Sequence, residues 1–179
     1  MDKITILDKD FGLFISNTEI HAAILKMAGN INNDFTGKDV VALGILNGTF
    51  MFASDLLREI NFNCRVSFLK MVSYQGDISS GTVRKLIGLD EDIRGKTVLL
   101  IEDIVDSGLT LDTVLAYLES FRPLGIKVAA LLLKPEKYHH RTNVDYVGFE
   151  IPNDFVIGYG LDYNGYGRNL RDIYKVINQ

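Results

Sequence analysis

The stretch from Thr97 to Leu111, TVLLIEDIVDSGLTL, limits what this chain can fold into more than any other segment. Four apolar residues, Val98, Leu99, Leu100 and Ile101, run straight into two adjacent carboxylates, Glu102 and Asp103. A third carboxylate, Asp106, opens the small-residue turn Ser107-Gly108. From there Leu111, Val114, Leu115 and Leu118 repeat at i, i+3, i+4 and i+7. The pattern reads as a buried strand, an acidic tip, a tight turn and an amphipathic helix. Such a turn aims backbone N–H groups and the positive end of the helix at whatever lies above it, which suits a phosphate. Carboxylates beside the turn repel phosphate, so they serve another part of the same ligand. A molecule with a phosphate end, several hydroxyl groups and a need for a metal ion fits that layout.

The same alternation recurs along the chain. Residues 16–31 read as a helix, with Ser16-Asn17-Thr18-Glu19 as a capping box and Ile20, Ala23, Ile24 and Met27 as its apolar stripe. Val40 to Leu46 is a continuous apolar run, expected of a strand covered on both faces, and a helix over 50–60 follows the turn Asn47-Gly48-Thr49. Cys64, Val66 and Phe68 alternate as in a strand. Ser73 to Arg84 has neither period and reads as a mobile functional loop. Another strand is expected over 127–133, ending at Lys134-Pro135, with further strands over 144–149 and 155–159 and a short helix or strand over 170–176. Apolar strands alternating with amphipathic helices predict an α/β fold: a mostly parallel twisted sheet with helices on both faces. Ligands bind at the carboxyl ends of such strands, so the turns after Leu46, Ile101 and Leu133 belong on the functional edge.

The 179 residues form a single domain spanning 1–179 on this reading, and their 47% apolar content is enough for a sizeable core. A net charge of −4 argues against broad, sequence-independent nucleic-acid binding. No apolar run approaches the ~20 residues needed to cross a bilayer, so no membrane association is expected. One cysteine, Cys64, excludes an internal disulfide and reads as a small buried side chain in a reducing compartment. With no basic leader followed by a long apolar run, a cytoplasmic location is expected. His21, His139 and His140 lack transition-metal spacing and read as ordinary surface residues.

IEDIVDSGLT resembles the signature of the type I phosphoribosyltransferases, which use 5-phosphoribosyl 1-pyrophosphate. The likeness to the hypoxanthine–guanine branch runs from about Val40 to Leu170. It includes Leu46-Asn47-Gly48, Ser73-Tyr74, Leu131-Leu132-Leu133-Lys134 and the block FEIPNDFVIGYGLDYNGYGRNL. The signature alone points to the donor; the later block points to 6-oxopurine acceptors. The resemblance implies the family's sheet with a small hood built from terminal segments, and a homodimer or homotetramer. It implies that Asp106 lies by the purine N7 as general base or hydrogen-bond partner, whereas the residues alone leave Asp106 or Ser107 as a plain helix cap worth about 1 kcal/mol.

By the same resemblance Glu102 and Asp103 hold the ribose hydroxyls, and Ser107, Gly108, Leu109 and Thr110 join Asp106 around the 5′-phosphate. Lys134 would donate to O6 of the base, which disfavours the 6-amino group of adenine because both groups are donors. Phe155 would lie over the purine face and Val156 would give main-chain contacts to its edge. Asp162 would sit at the base and at the metal on the pyrophosphate side, with Gly48 and Arg168 at the pyrophosphate. Mg²⁺ is the implied ion, with Glu102, Asp103 and Asp162 as its protein oxygens. Ser73 and Tyr74 would start a lid that keeps water from an oxocarbenium-like state. Two positions depart from the family. Many relatives carry Lys where Leu109 stands, and Lys in a non-proline cis peptide where Asn47 stands. Two other readings are a nucleic-acid-binding regulator that retains the phosphoribosyl site, which would need a basic face, and the same enzyme fold acting on xanthine or another base.

Overall fold

Every residue of the run Val40–Ile45 is buried, as are the first six of Thr97–Val105, and the two runs pair in parallel with Val40 opposite Thr97. Apolar character on both faces forces such strands to the centre of a sheet covered on each side. The computed structural model describes residues 3–73, 83–138 and 143–177, with backbone alone at 71–73 and 83–87. In chain order its elements are β1 (Lys3–Ile6), β2 (Lys9–Ile15), α1 (Asn17–Phe35), β3 (Val40–Ile45), α2 (Phe50–Arg58), β4 (Cys64–Ser73), β5 (Val83–Ile87), β6 (Thr97–Val105), α3 (Leu109–Glu119), β7 (Gly125–Leu133), β8 (Tyr146–Glu150), β9 (Val156–Ile157) and β10 (Ile173–Val176).

The main sheet has the order β5-β4-β3-β6-β7-β8, parallel from β4 to β8, with β5 antiparallel at one edge. Alternate residues divide its core into two layers. Val40, Ala42, Leu99 and Ile101 pack with Ile24, Ile31, Phe52 and Leu56 of α1 and α2. Val41, Leu43, Val98 and Leu100 pack instead with Leu111, Val114 and Leu118 of α3. A second, antiparallel sheet of order β1-β2-β10-β9 is built from both ends of the chain, the hood that the family resemblance implies. Among the described residues, no helix is long and apolar enough to cross a membrane.

Several boundaries move for physical reasons. Ser16 lies outside α1 as its cap, completing the capping box with Glu19, and the apolar stripe carries the helix on to Phe35. α2 stops at Arg58, two residues early. β6 continues past Ile101 through both acids, because Glu102, Ile104 and Val105 remain in register with Ala130, Leu132 and Leu133. The aperiodic segment is shorter than expected, since Ser73 ends β4 and Val83 and Arg84 begin β5; residues 74–82, Tyr74 among them, lie outside the described residues. β9 ends at Ile157, where Gly158 turns with φ +95°, and the tail forms β10 rather than a helix. Cys64 is half-buried, and burial raises its thiol pKa.

Close packing makes Gly148 a stringent position. A Cβ there would stand 2.6 Å from the Leu131 carbonyl oxygen and 3.2 Å from its Cδ1, so the strand backbone itself would have to move. Gly148→Ala should cost about 1–3 kcal/mol. Urea unfolding should show this as a lower midpoint with an unchanged slope.

Candidate active site

β6 delivers its carboxylates into a largely dry environment. Glu102 is buried, and its Oε2 has no hydrogen-bond partner. Burial holds its pKa well above the usual carboxylate range, and the neighbouring Asp103 adds to the rise. Asp103 is part-exposed as a residue, but its carboxylate packs against the Gly48 loop. Burial pushes its pKa up to about 6, against opposing backbone N–H bonds and the Arg168 guanidinium, with Asp162 adding repulsion. Desolvated carboxylates without full partners are primed to accept hydroxyl hydrogens or a hard cation.

Beyond β6 the chain forms a pocket of about 260 Å³, whose lining includes Glu102, Asp103, Asp106, Ser107, Gly108 and Thr110. The N-cap of α3 is Gly108, in the left-handed region at φ +87°, and no side chain caps the helix. This corrects the capping alternative for Asp106 and Ser107. The first-turn N–H groups are therefore left to water or an anion. Leu109 opens α3 with its side chain exposed and outside the pocket lining.

Asp106 is committed elsewhere. The Lys134 N–H bonds to the Val105 carbonyl at 3.0 Å, which sets the end of β7 beside the end of β6. From that position the buried Lys134 ammonium donates to Asp106 Oδ2 at 3.0 Å. Lys137 Nζ lies 3.2 Å from Oδ1, an ion pair without a well-formed hydrogen bond. Burial alone would raise the Asp106 pKa, but the Lys134 hydrogen bond and two ammonium charges outweigh it and hold the carboxyl below its usual range.

The loop after β3 forms another wall, and its Leu46–Asn47 peptide is cis. A Cβ on Gly48 would fall on top of Asp103 Oδ2, and one on Gly160 would overlap the Gly48 carbonyl oxygen. Both positions therefore need glycine. Gly160 is held by Arg168, whose carbonyl accepts the Gly160 N–H at 2.9 Å and whose Nη1 donates to the Gly160 carbonyl at 2.7 Å. Arg168 Nη2 also pairs with Asp162 Oδ1 at 2.6 Å, and Asp162 Oδ2 accepts the Gly165 N–H. Asp162 thus pairs directly with Arg168 while its charge still repels the Asp103 carboxylate. Among the described residues, no three His, Cys, Asp or Glu side chains converge as a metal site.

Phe155 and Val156 belong to the hood. Phe155 is 41% exposed as a residue, which leaves room for a stacking partner. Its other contacts are Phe11 at 6.2 Å and Tyr163 edge-on at 5.7 Å, with the Tyr163 hydroxyl donating to Asp8. Val156 is buried in β9 opposite Lys175. Neither lines the 260 Å³ pocket. Nor do Lys134, Asp162, Gly48 or Arg168, but hydrogen bonds and contacts tie these four to its rim. Ser73 lies at the end of β4, and Tyr74 lies outside the described residues, as do His139 and His140.

Lys137 escaped the sequence reading, although its place three residues after Lys134 in a proline turn was a usable signal. Phe11 and Asp8 escaped because only the tertiary hood brings Phe11 to Phe155 and Asp8 to Tyr163.

The raised Asp103 pKa has a measurable consequence. With a folded pKa of about 6 against 3.8 when exposed, Asp103 favours folding most below pH 3.8. That benefit is lost as pH rises through 6. Without metal ions or phosphate compounds, Asp103→Asn should therefore melt above the wild type at pH 7.5. Near pH 4 the two melting curves should converge, and a pH-independent difference would contradict the burial argument.

Comparison with known proteins agrees with this geometry. Residues 16–164 match the phosphoribosyl transferase domain family. The hypoxanthine-guanine phosphoribosyltransferase of Mycobacterium tuberculosis (strain CDC 1551 / Oshkosh) is 41% identical over 165 residues, 88% of this chain and 82% of that protein. The hypoxanthine phosphoribosyltransferase of Escherichia coli (strain K12) is 41% identical over 168 residues, covering 92% and 94%. Among solved structures, a hypoxanthine-guanine phosphoribosyltransferase from Bacillus anthracis superposes with a TM-score of 0.87 at 35% identity, covering 93% of this chain and 97% of that one. A point mutant of the Trypanosoma cruzi hypoxanthine phosphoribosyltransferase, in a ternary substrates complex, superposes with a TM-score of 0.85 at 38% identity, covering 92% and 94%. The chain belongs to the phosphoribosyltransferase family, in its hypoxanthine–guanine branch.

Proposed function

We propose that this chain, acting as one phosphoribosyltransferase domain, transfers the 5-phosphoribosyl group of 5-phosphoribosyl 1-pyrophosphate to N9 of hypoxanthine or guanine in purine salvage. The observation that carries the reading is the Asp106–Lys134 pair set beside an uncapped helix turn. In the reaction the C1′–O bond breaks with its electrons leaving on pyrophosphate. The purine N9 lone pair forms the C1′–N9 bond, and the proton lost from the base, at N7, passes to Asp106. Ser107 to Thr110 hold the 5′-phosphate, Leu109 by its backbone alone, and Glu102 and Asp103 accept the ribose hydroxyls. Gly48 and Arg168 border the departing pyrophosphate, where Asn47 brings no charge.

Lys134 both selects and activates. Its ammonium only donates, so it pairs with the O6 of hypoxanthine or guanine and meets the amine of adenine donor to donor. An incoming O6 also competes with Asp106 for that ammonium. Each hydrogen bond withdrawn from Asp106 makes its carboxylate more basic as N7–H needs an acceptor. The half-open Phe155 ring suits stacking on the purine, with the Val156 backbone at its edge. Ser73 and Tyr74 start the segment that shields C1′ from water.

Mg²⁺ fits the donor set, because Glu102 presents an unpartnered buried carboxylate oxygen beside Asp103, and hard oxygens suit that ion. Asp162 is a third oxygen donor, once released from Arg168. When bound, the ion would neutralise charge on the leaving pyrophosphate. A cytoplasmic homodimer or homotetramer is the expected form, and a single cysteine suits a reducing compartment.

Pyrophosphate release, followed in parallel with hypoxanthine, guanine, xanthine, adenine and uracil, tests the reading. Turnover should be confined to the 6-oxopurines and vanish on chelation until Mg²⁺ is restored. Silence with both hypoxanthine and guanine would end it. Asp106→Asn should keep the melting temperature within a few degrees yet lower kcat by about 10²–10⁴-fold. Near-normal turnover would remove Asp106 from the proton transfer. Deleting residues 76–82 should likewise cost most of the turnover, whereas an idle loop would leave it intact.

A further inference from the structure

α2 begins at the Gly48 loop and reaches back to the opposite wall of the site. Its N-cap is Thr49, fully buried, whose hydroxyl donates to the Ile101 carbonyl of β6 at 3.4 Å. Two turns along, Asp55 Oδ2 accepts a hydrogen bond from the Tyr159 hydroxyl at 2.5 Å. Tyr159 is only 1% exposed and adopts φ +49°, a left-handed conformation that a bulky side chain rarely takes without restraint. It stands between Gly158 and Gly160, and Gly160 is the residue pressed against the Gly48 carbonyl and held by Arg168.

We infer that Asp55 is a positioning residue for the pyrophosphate side of the site, acting through Tyr159 to fix the spacing of Gly48, Gly160 and Arg168. One helix thereby fastens both walls: its start carries the Gly48 loop, and Asp55 anchors the turn that meets it. Burial and the Asp55 hydrogen bond both raise the Tyr159 pKa, so its hydroxyl stays protonated and donates at any working pH. Among the described residues, the charged groups paired with Asp55 are looser, Arg58 at 3.7 Å and His21 at 3.9 Å, both largely exposed. Exposed pairs of that kind contribute little, which leaves Tyr159 as the partner that matters. Removing the hydrogen bond frees the 158–160 turn to shift, and with it the Gly160 carbonyl that orients Arg168. The effect should fall on the pyrophosphate-bearing donor and not on the base.

This inference rests on the phosphoribosyl-transfer reading, so the test separates the two. Donor affinity is measured directly by titration calorimetry with 5-phosphoribosyl 1-pyrophosphate and Mg²⁺, and turnover is measured with hypoxanthine. Asp55→Ala and Tyr159→Phe should each weaken donor binding and raise its KM by about tenfold, while the KM for hypoxanthine stays within about twofold. Asp55→Asn keeps an acceptor oxygen and should recover most of the loss. The double variant should be no worse than either single one, because both remove the same bond. Should Asp55→Ala not fold, Tyr159→Phe, which deletes one oxygen, carries the comparison. Unchanged donor affinity, equal weakening of both substrates, or no recovery with Asp55→Asn would overturn the positioning role. Wild-type protein that binds the donor but leaves hypoxanthine unreacted would instead sink the acceptor assignment. A wild type that does not bind the donor would sink both.

Discussion

There is no room for a methyl group between Gly48 and the Asp103 carboxylate, and the rest of the site is arranged around that contact. It brings the turn after β3 down onto the end of β6 and keeps water from one side of a charged group. The cost of charge in that space is visible in the raised pKa of Asp103 and in that of Glu102, held well above the usual range. A folded protein tolerates such expense where a ligand relieves it. The central strands tolerate it because they are buried along nearly their whole length and held in register on both sides.

The frame was legible because its signals are local. Continuous apolar runs at 40–46 and 98–101 require strands covered on both faces, and the 3.6-residue stripes of α1 and α3 say which helix faces do the covering. The capping box at Ser16 formed as its spacing implies, since both partners lie within one turn. The Leu46–Asn47 peptide is cis, which a sequence with Asn in place of the relatives' Lys left open.

What escaped depends on partners distant in sequence. Asp106 had two plausible local uses, as a cap or as a chemical group. In the folded chain its carboxylate caps no helix and pairs with Lys134, 28 residues away, and with Lys137 beside it. Asp162, a metal ligand by the family resemblance, is paired in the folded chain with Arg168, which no local signal announces. The strand character of Lys9–Ile15 went unread because its pairing with β10 spans most of the chain. β6 outlasted its apolar run because backbone register with β7, not side-chain character, decides where a strand stops.

The hood adds a constraint of timing. Strands β3, β4, β6 and β7, together with the turn that opens α3, all lie within residues 40–133. A growing chain has therefore supplied most of the parallel sheet and the uncapped turn before α3 while its last quarter is still being made. Phe155 and Val156 are different, since among the described residues β9 pairs only with β10, and β10 in turn with β2 at the other end of the chain. Until Ile173–Val176 emerges, the aromatic face beside Phe11 has no sheet to hold it. Synthesis thus completes the part suited to phosphate before the part suited to a flat ring. A chain cut short in its final dozen residues would keep the turn and lose β10, the strand that joins β9 to β2.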